Sequence, residues 1–168
     1  MNGLFSVSKN ETLGTLFAPV SGKVISQSEI KDEVFASGLL GEGFGIIPSE
    51  GEIVSPVNGT VIDVTPTLHA YSILSDDGAE ILIHIGIDTV ELKGKGFENL
   101  VSAGDKLSVG TPLAKVNLDL IKSEGYDDTI AVVIINDSVL SQITVFEGDC
   151  KKSKSEVFKY VIKSKKQM

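Results

Sequence analysis

The apolar positions of the chain fall in short segments of four to seven residues, separated by Gly, Pro, Asp and Asn. Such segments predict β-strands. Helical spacing is brief: it predicts a short helix within 30–37, a helical turn at 97–101, and another that Asn117 caps and that ends before Gly125. The pattern predicts an all-β fold, an antiparallel β-sandwich or barrel with a few short helices. The predicted strands are 22–26, 44–47, 51–55, 59–65, 69–75, 79–85, 112–117, 130–135, 142–146 and 157–162, with a further short strand between Gly104 and Gly110.

An internal repeat organises the first half of the chain. Residues 17–25 match residues 54–62 at an offset of 37, and each copy carries a Pro-Val-x-Gly turn between two apolar segments. Five identities at fixed positions (Pro, Val, Gly, Val, Ile) favour a duplicated β unit over chance recurrence of turn residues. We therefore expect a single domain at 13–168, preceded by a loose lead-in at 1–12.

The chain has only two histidines, His69 and His84, and hairpin chemistry predicts that they meet. The Asp-Gly pair at 77–78 lies midway between two apolar segments and is a strong signal for a two-residue turn. A turn centred there places Tyr71 opposite His84. It also places His69 opposite Gly86, so that the two imidazoles share one face as diagonal neighbours. A three-residue turn would shift the register and place them on opposite faces.

The strand around His84 is predicted to alternate between two faces. The three isoleucines within 81–85 point to one face, and Leu82 and His84 point to the other. Gly86 is expected to leave open space beside the imidazole, where another backbone can approach.

Two kinds of chemistry fit a histidine pair. Two imidazoles and a carboxylate such as Asp88 would hold zinc, as in a hydrolase, although no third ligand stands out at a consistent spacing. Alternatively, one imidazole attacks as a nucleophile and the second stabilises the transferred group, since neutral imidazole is available near pH 7. The pattern Gly-Asp-x-Leu-x-x-Gly-x-Pro-Leu at 104–113 suggests a lipoyl- or biotinyl-type carrier. Such carriers display a lysine at a hairpin tip, but the tip at 76–78 has no lysine to modify.

Charge and composition restrict the classes of partner that this 168-residue chain can bind. All 15 basic residues are lysines, and seven of them lie in the last 18 residues, against one acid. The first 150 residues are therefore strongly acidic, which disfavours nucleic acid. Without arginine, phosphoryl chemistry must use backbone N–H groups, lysines or histidines. The longest apolar run, 130–135, is too short for a membrane span of about 20 residues, and the single cysteine, Cys150, favours the cytoplasm.

One segment resembles the signature of a known family: residues 81–97 read ILIHIGIDTVELKGKGF. The chain is similar there to the glucose-type enzyme IIA of the bacterial phosphoenolpyruvate:sugar phosphotransferase system. The similarity extends from about residue 13 to 162 and includes both Pro-Val-x-Gly turns and the segments 32–36, 41–43 and 67–70.

The resemblance implies a β-sandwich that acts as a phosphocarrier. His84 matches the histidine that takes a phosphoryl group on Nε2 from the phosphocarrier protein HPr and passes it to a cysteine of the IIB domain of a sugar transporter. His69 matches the second histidine, which stabilises the phosphoryl group, and a proton on its ring would add positive charge. Thr67 matches the threonine that orients it. No cofactor is expected to be required, and a zinc ion at His69 and His84 would be adventitious or completed by a partner.

The resemblance also locates the partner surface. Glu33 and Thr65 depart from the Val and Phe that occur at those positions, which concerns partner preference rather than chemistry. A regulatory sensor of phosphotransferase flux is an alternative because it needs the same histidine; a zinc hydrolase on a related β scaffold is another. The expected partner-binding residues are Phe35, Leu39, Leu40, Val90, Gly86 and Asp88.

Overall fold

The computed structural model describes residues 6–163, which form 14 β-strands and two short α-helices. All strand pairs are antiparallel, and each predicted strand has a counterpart. The predicted all-β fold is confirmed. The strands are β1 (Glu11–Phe17), β2 (Gly22–Ser26), β3 (Glu42–Pro48), β4 (Glu52–Val54), β5 (Gly59–Val64), β6 (Ala70–Ser75), β7 (Glu80–Ile85), β8 (Phe97–Asn99), β9 (Lys106–Leu107), β10 (Pro112–Val116), β11 (Ile130–Ile134), β12 (Leu140–Val145), β13 (Gly148–Cys150) and β14 (Glu156–Lys163).

Three sheets build the sandwich. The largest has eight strands in the order β13-β2-β3-β11-β7-β6-β5-β9, and the others are β1-β14-β12 and β4-β10-β8. Apolar side chains from all three sheets pack into one main core, and Phe44, Ile83 and Phe158 are among its fully buried members. Across residues 6–163, no helix has the length and apolar character needed to cross a membrane.

The two copies of the repeat bind each other reciprocally. The Phe17 N–H donates to the Pro56 carbonyl (3.0 Å), and the Val54 N–H donates to the Pro19 carbonyl (2.8 Å). The two donors are equivalent positions of the repeat, and so are the two acceptors. Such an exchange of equivalent bonds is the mark of a local two-fold relation, so the duplicated β unit predicted from the sequence is a structural unit.

Short polar caps begin both helices, α1 (Glu33–Ala36) and α2 (Leu118–Ser123). The Asp32 carboxylate accepts from the Val34 N–H (2.9 Å), and the Asn117 side chain accepts from the Leu120 N–H (3.0 Å). Each cap satisfies a donor that the first helical turn leaves unpaired. The helices predicted within 30–37 and after Asn117 are therefore confirmed.

Two predicted boundaries differ from the structure. The helical turn at 97–101 is wrong, because residues 97–99 form β8, in which Phe97 pairs with Val116. Helical spacing over so few residues is overridden by strand pairing. Strand β1 begins at Glu11, two residues inside the expected lead-in, and residues 1–5 of that lead-in lie outside the described residues.

The hairpin of β6 and β7 has a three-residue turn at 76–78. Ala70 pairs with His84, and Tyr71 pairs with Ile83. The predicted pairing of Tyr71 with His84 is therefore wrong by one residue. Asp-Gly still forms the tip of the turn, but one further residue enters the loop and shifts the ladder.

Strand β7 separates two apolar clusters. Its three isoleucines lie in the main core, while Leu82 packs on the outer face of the large sheet. The predicted alternation around His84 is confirmed. On the outer face a smaller cluster covers the strands and surrounds the position of His84. Its buried members are Ile25, Ile30, Phe35, Ile87, Ala131 and Val133.

Candidate functional site

His84 and His69 lie in contact on the outer face of the large sheet. Their ring centroids are 4.8 Å apart and the ring planes meet at 80°, an edge-to-face arrangement. The buried side chain of Phe35 also packs against His84, with ring centroids 5.0 Å apart. The predicted meeting of the two imidazoles is confirmed, although the register from which it was predicted is wrong.

The imidazoles meet because His69 lies one residue outside β6. Because Ala70 pairs with His84, a regular alternation would turn His69 to the other face, and the contact between the two rings shows that His69 does not follow it. Leu68 has a φ of 63°, in the left-handed region, so the extended backbone ends just before His69. The carbonyl of His69 still accepts from the Ile85 N–H (2.7 Å), which anchors its backbone beside β7. The expectation that a three-residue turn separates the histidines is wrong, since it assumed a regular strand through His69.

A backbone carbonyl fixes the tautomer of His84. Its Nδ1 lies 2.8 Å from the carbonyl oxygen of Gly86. A carbonyl only accepts, so Nδ1 carries the proton and donates it. In the neutral ring, Nε2 then has no proton and keeps a free lone pair. The geometry therefore presents Nε2 as a nucleophile.

Gly86 supports this hydrogen bond through its backbone. It has a φ of 83°, and an added Cβ would collide with the Thr89 side chain and lie 3.2 Å from the Asp127 carbonyl. The Thr89 hydroxyl donates to the Ile85 carbonyl, and this hydrogen bond holds the Thr89 methyl group where a Cβ of residue 86 would lie. The predicted open space beside the ring is wrong, because Thr89 fills it. Glycine is needed here for the turn that aims its carbonyl at His84.

Two threonine hydroxyls hold the ring of His69. The Thr67 Oγ1 lies 2.8 Å from Nδ1 of His69, and the Thr65 Oγ1 lies 3.4 Å from the same nitrogen. Thr65 also accepts from the Ala70 N–H (3.1 Å), which fixes its position at the start of β6. Thr67 was predicted to bind this ring. Thr65 was noted in the sequence only as a departure from the family pattern, and its hydroxyl is the signal that was missed.

Burial keeps both imidazoles neutral at pH 7. Desolvation, and then the neighbouring His84, lower the pKa of His69 from 6.5 to about 4. Desolvation also lowers the pKa of His84, although the Gly86 carbonyl, Asp32 and Asp88 act in the opposite direction. The expected positive charge on His69 is therefore absent from the unphosphorylated protein. The contribution of Asp32 was not predicted, but an Asp before a short apolar helix is an N-cap signal.

Stability should fall in acid through His69. The unfolded chain binds a proton below pH 6.5 while the folded ring stays neutral down to about pH 4. The free energy of unfolding should therefore fall as the pH drops from 6.5 to 4, with a limiting slope of about 1.4 kcal/mol per pH unit. Urea unfolding of wild type and His69→Gln at several pH values measures this. Parallel pH profiles for the two proteins would contradict it.

The expected partner residues occupy different environments. Phe35 is only 4% exposed and supports the His84 ring, whereas Leu39, Leu40 and Val90 are 77%, 39% and 43% exposed. Asp88 is exposed and begins a 3₁₀ turn with a φ of 61°. The structure therefore presents three apolar side chains to solvent and keeps Phe35 beneath the imidazole.

Metal binding would need several ligand side chains close together. Within 6–163, no group of three or more His, Cys, Asp or Glu side chains has an arrangement that could hold a metal ion. The three-ligand zinc site that would combine His69, His84 and Asp88 is therefore not formed among these residues.

Comparisons with known proteins identify the family of the chain. The family model described as phosphoenolpyruvate-dependent sugar phosphotransferase system, EIIA 1, matches residues 14–140. The glucose-specific EIIA component of Staphylococcus aureus (strain Mu50) is 44% identical over 132 residues, which are 79% of this chain and 80% of that protein. The beta-glucoside-specific EIIBCA component of Bacillus subtilis (strain 168) is 49% identical over 121 residues, 72% of this chain and 20% of that protein.

A solved structure shows the same fold. Glucose permease IIA from Mycoplasma capricolum superposes with a TM-score of 0.80 at 32% identity, and the match covers 90% of this chain and 97% of that one. The chain is therefore a phosphotransferase component, a β-sandwich that acts as a phosphocarrier. It belongs to the EIIA 1 family of the phosphoenolpyruvate-dependent sugar phosphotransferase system.

Proposed function

We propose that His84 is the phosphoryl acceptor of this phosphocarrier. In this proposal, a cytoplasmic protein takes the group from the phosphocarrier protein HPr and passes it to a cysteine on the IIB domain of a sugar transporter. The observation that carries the proposal is the hydrogen bond from Nδ1 of His84 to the Gly86 carbonyl. It leaves Nε2 as the one ring nitrogen with a free lone pair.

The transfer needs no general base. The Nε2 lone pair of His84 attacks the phosphorus of phosphorylated HPr, the N–P bond of the donor breaks, and the donor imidazole leaves with that electron pair. Since Nε2 carries no proton, none has to be removed. The proton on Nδ1 then keeps the phosphorylated ring positively charged, and the Gly86 carbonyl stabilises it. In the second step a IIB thiolate attacks the same phosphorus, and neutral His84 is the leaving group.

His69 would stabilise the phosphoryl group. If Thr67 donates its hydroxyl proton to Nδ1, the opposite nitrogen of His69, Nε2, carries the ring proton and donates it to a phosphoryl oxygen. Thr65 helps to hold the ring in this orientation. A donor fixed in advance is valuable because the described site has no arginine and the transferred group is negative.

The exposed leucines and Val90 would form the contact surface for HPr and for the IIB domain. Phe35 would act beneath this surface by supporting the His84 ring, and Asp88 lies at its rim. The proposed role of Gly86 is to aim its carbonyl, since a buried glycine offers no surface to a partner. The single EIIA domain would begin at Glu11, where β1 starts, rather than at residue 13.

The proposed transfer uses no cofactor. His69 and His84 supply two nitrogen ligands, so a zinc ion at the pair would be adventitious or would take its remaining ligands from a partner protein.

Incubation with phosphoenolpyruvate, enzyme I and HPr tests the proposal. Intact mass spectrometry should show the gain of one phosphoryl group, which is lost in acid and kept in base as expected of a phosphoramidate. Omission of HPr should abolish the gain. Subsequent addition of a IIB domain should remove the group, which separates a transport role from a purely regulatory one. Phosphorylated HPr without any gain of mass by the chain would overturn the proposal.

A further inference from the structure

Gln27 is the first residue after β2, and its side chain continues the hydrogen-bond ladder where that strand ends. Ser26 pairs with Phe44, so Gln27 stands opposite Gly43. Its Oε1 accepts from the Gly43 N–H (3.1 Å), and its Nε2 donates to the Gly41 carbonyl (2.7 Å). The side-chain amide therefore takes the place of the peptide group that a longer β2 would present to β3.

The same amide also reaches α1. Nε2 of Gln27 donates to the carbonyl of Phe35 (2.9 Å), which also accepts from the Gly38 N–H (3.1 Å) at the end of the helix. Both N–H groups and the oxygen of the amide are thus used. The Gln27 amide therefore binds both the end of α1 and the start of β3. The chain between these two elements forms a loop whose ends are held by the same side chain.

That intervening chain contains the Leu39–Leu40 turn, which we define as residues 38–41. Both of its leucines are exposed, and both of its glycines have positive φ, so neither apolar burial nor backbone stiffness holds it. The Phe35 side chain, by contrast, is buried in the smaller apolar cluster. Packing therefore fixes Phe35 against His84, whereas hydrogen bonds fix the turn. Within the turn the Gly41 N–H donates to the Gly38 carbonyl (3.1 Å), and the Gln27 amide is the side chain that binds the backbone on both sides of it.

We propose that Gln27 is a positioning residue that holds the Leu39–Leu40 turn in the conformation that HPr and the IIB domain contact. It acts through the turn and does not touch the reacting atoms. This inference rests on the proposed function, because it assigns the turn to partner docking. It predicts that loss of the Gln27 amide weakens partner binding and leaves the chemistry at His84 almost unchanged.

The test compares Gln27→Leu with wild type under two phosphoryl donors. With phosphorylated HPr, KM should rise about tenfold, equivalent to about 1.4 kcal/mol, while kcat changes less than about twofold. With phosphoramidate, which needs no docking, the P–N bond breaks, ammonia leaves and Nε2 of His84 forms the new N–P bond. That rate should change by less than about twofold. A fall in the phosphoramidate rate equal to the fall with HPr would overturn the proposal.

Gln142→Leu is the matched control. Gln142 lies in β12 and binds the backbone of Ser6 with its amide (Nε2 to the carbonyl, 2.7 Å; N–H to Oε1, 3.4 Å), so this variant loses similar hydrogen bonds away from the site. It should leave KM for HPr unchanged. Gln27→Glu is a second variant if Gln27→Leu fails to fold: it keeps an acceptor for Gly43 but no donor, and its KM should also rise. An unchanged KM in a folded Gln27 variant overturns the proposal.

A coupling experiment separates the turn from other routes. In a Leu39→Ala/Leu40→Ala background, the docking contacts of the turn are already absent, so Gln27→Leu should raise KM by less than about twofold more. If Gln27→Leu raised KM about tenfold in this background as well, Gln27 would act through a part of the molecule other than the turn. Failure of wild type to accept phosphate from HPr would refute the proposed function itself, and it would be seen before any Gln27 variant is compared.

Discussion

His84→Ala is expected to accept no phosphoryl group from phosphorylated HPr, under conditions in which wild type accepts one. The substitution removes Nε2 of His84, which keeps a free lone pair because Nδ1 carries the proton and donates it to the Gly86 carbonyl. His69 should not substitute for it, because this ring is 7% exposed and its Nδ1 is bound by Thr67. Intact mass spectrometry after incubation with phosphoenolpyruvate, enzyme I and HPr measures the result.

Two further variants make the loss interpretable. His84→Gln retains a side chain for Phe35 to pack against and should also remain unphosphorylated, so that a collapsed site can be distinguished from a missing nucleophile. His69→Gln removes the other imidazole of the pair and should still accept the group. A stable phosphoryl group on folded His84→Ala would contradict the prediction, because it would show that another residue is the acceptor.

Onward transfer to a IIB cysteine should fall by about 10²-fold or more in His69→Gln, the scale expected for loss of one preorganised donor. Although His69 is neutral in the resting protein, a phosphoryl group beside it raises its pKa, since opposite charge favours the protonated ring. The imidazole can then offer a charged donor during transfer. Glutamine offers a neutral donor at best, so the variant should accept the group but release it slowly.

A single-turnover assay checks this expectation. His69→Gln is phosphorylated to completion, freed of HPr and mixed with purified IIB, and loss of the phosphoryl group is followed over time. A transfer rate equal to that of wild type would make His69 a structural neighbour. If the rate falls, its dependence on pH should differ from wild type, because only the wild type has a titrating group at this position.

Local chemistry was sufficient for many elements. The alternation within 81–85 predicted which side chains face the core, because successive residues of a strand point to opposite faces. The cap at Asn117 and the Pro-Val-x-Gly repeat were likewise recognised from residue types at fixed spacing. The family signature at 81–97 matched His84, and the similarity of the segment 67–70 matched His69.

Long-range contacts decided the rest. The pairing of Phe97 with Val116 made a strand where local spacing predicted a helix. The three-residue turn at 76–78 set the register, and His69, one residue outside β6, meets His84 despite that register. None of these features has a periodic signal in the sequence, because each depends on residues distant in the chain or on the exact residue at which a regular strand ends.

The sequence by itself determined that this is an all-β chain with one histidine pair, because strand periodicity, turn residues and rare side chains are local properties. Only the tertiary structure decided how the pair works. Burial removes the charge from His69, and the Gly86 carbonyl selects the tautomer of His84. The amide of Gln27 reaches the turn across the end of β2. These are properties of surroundings: a pKa, a tautomer and a clamped turn exist only once distant segments pack together and exclude water.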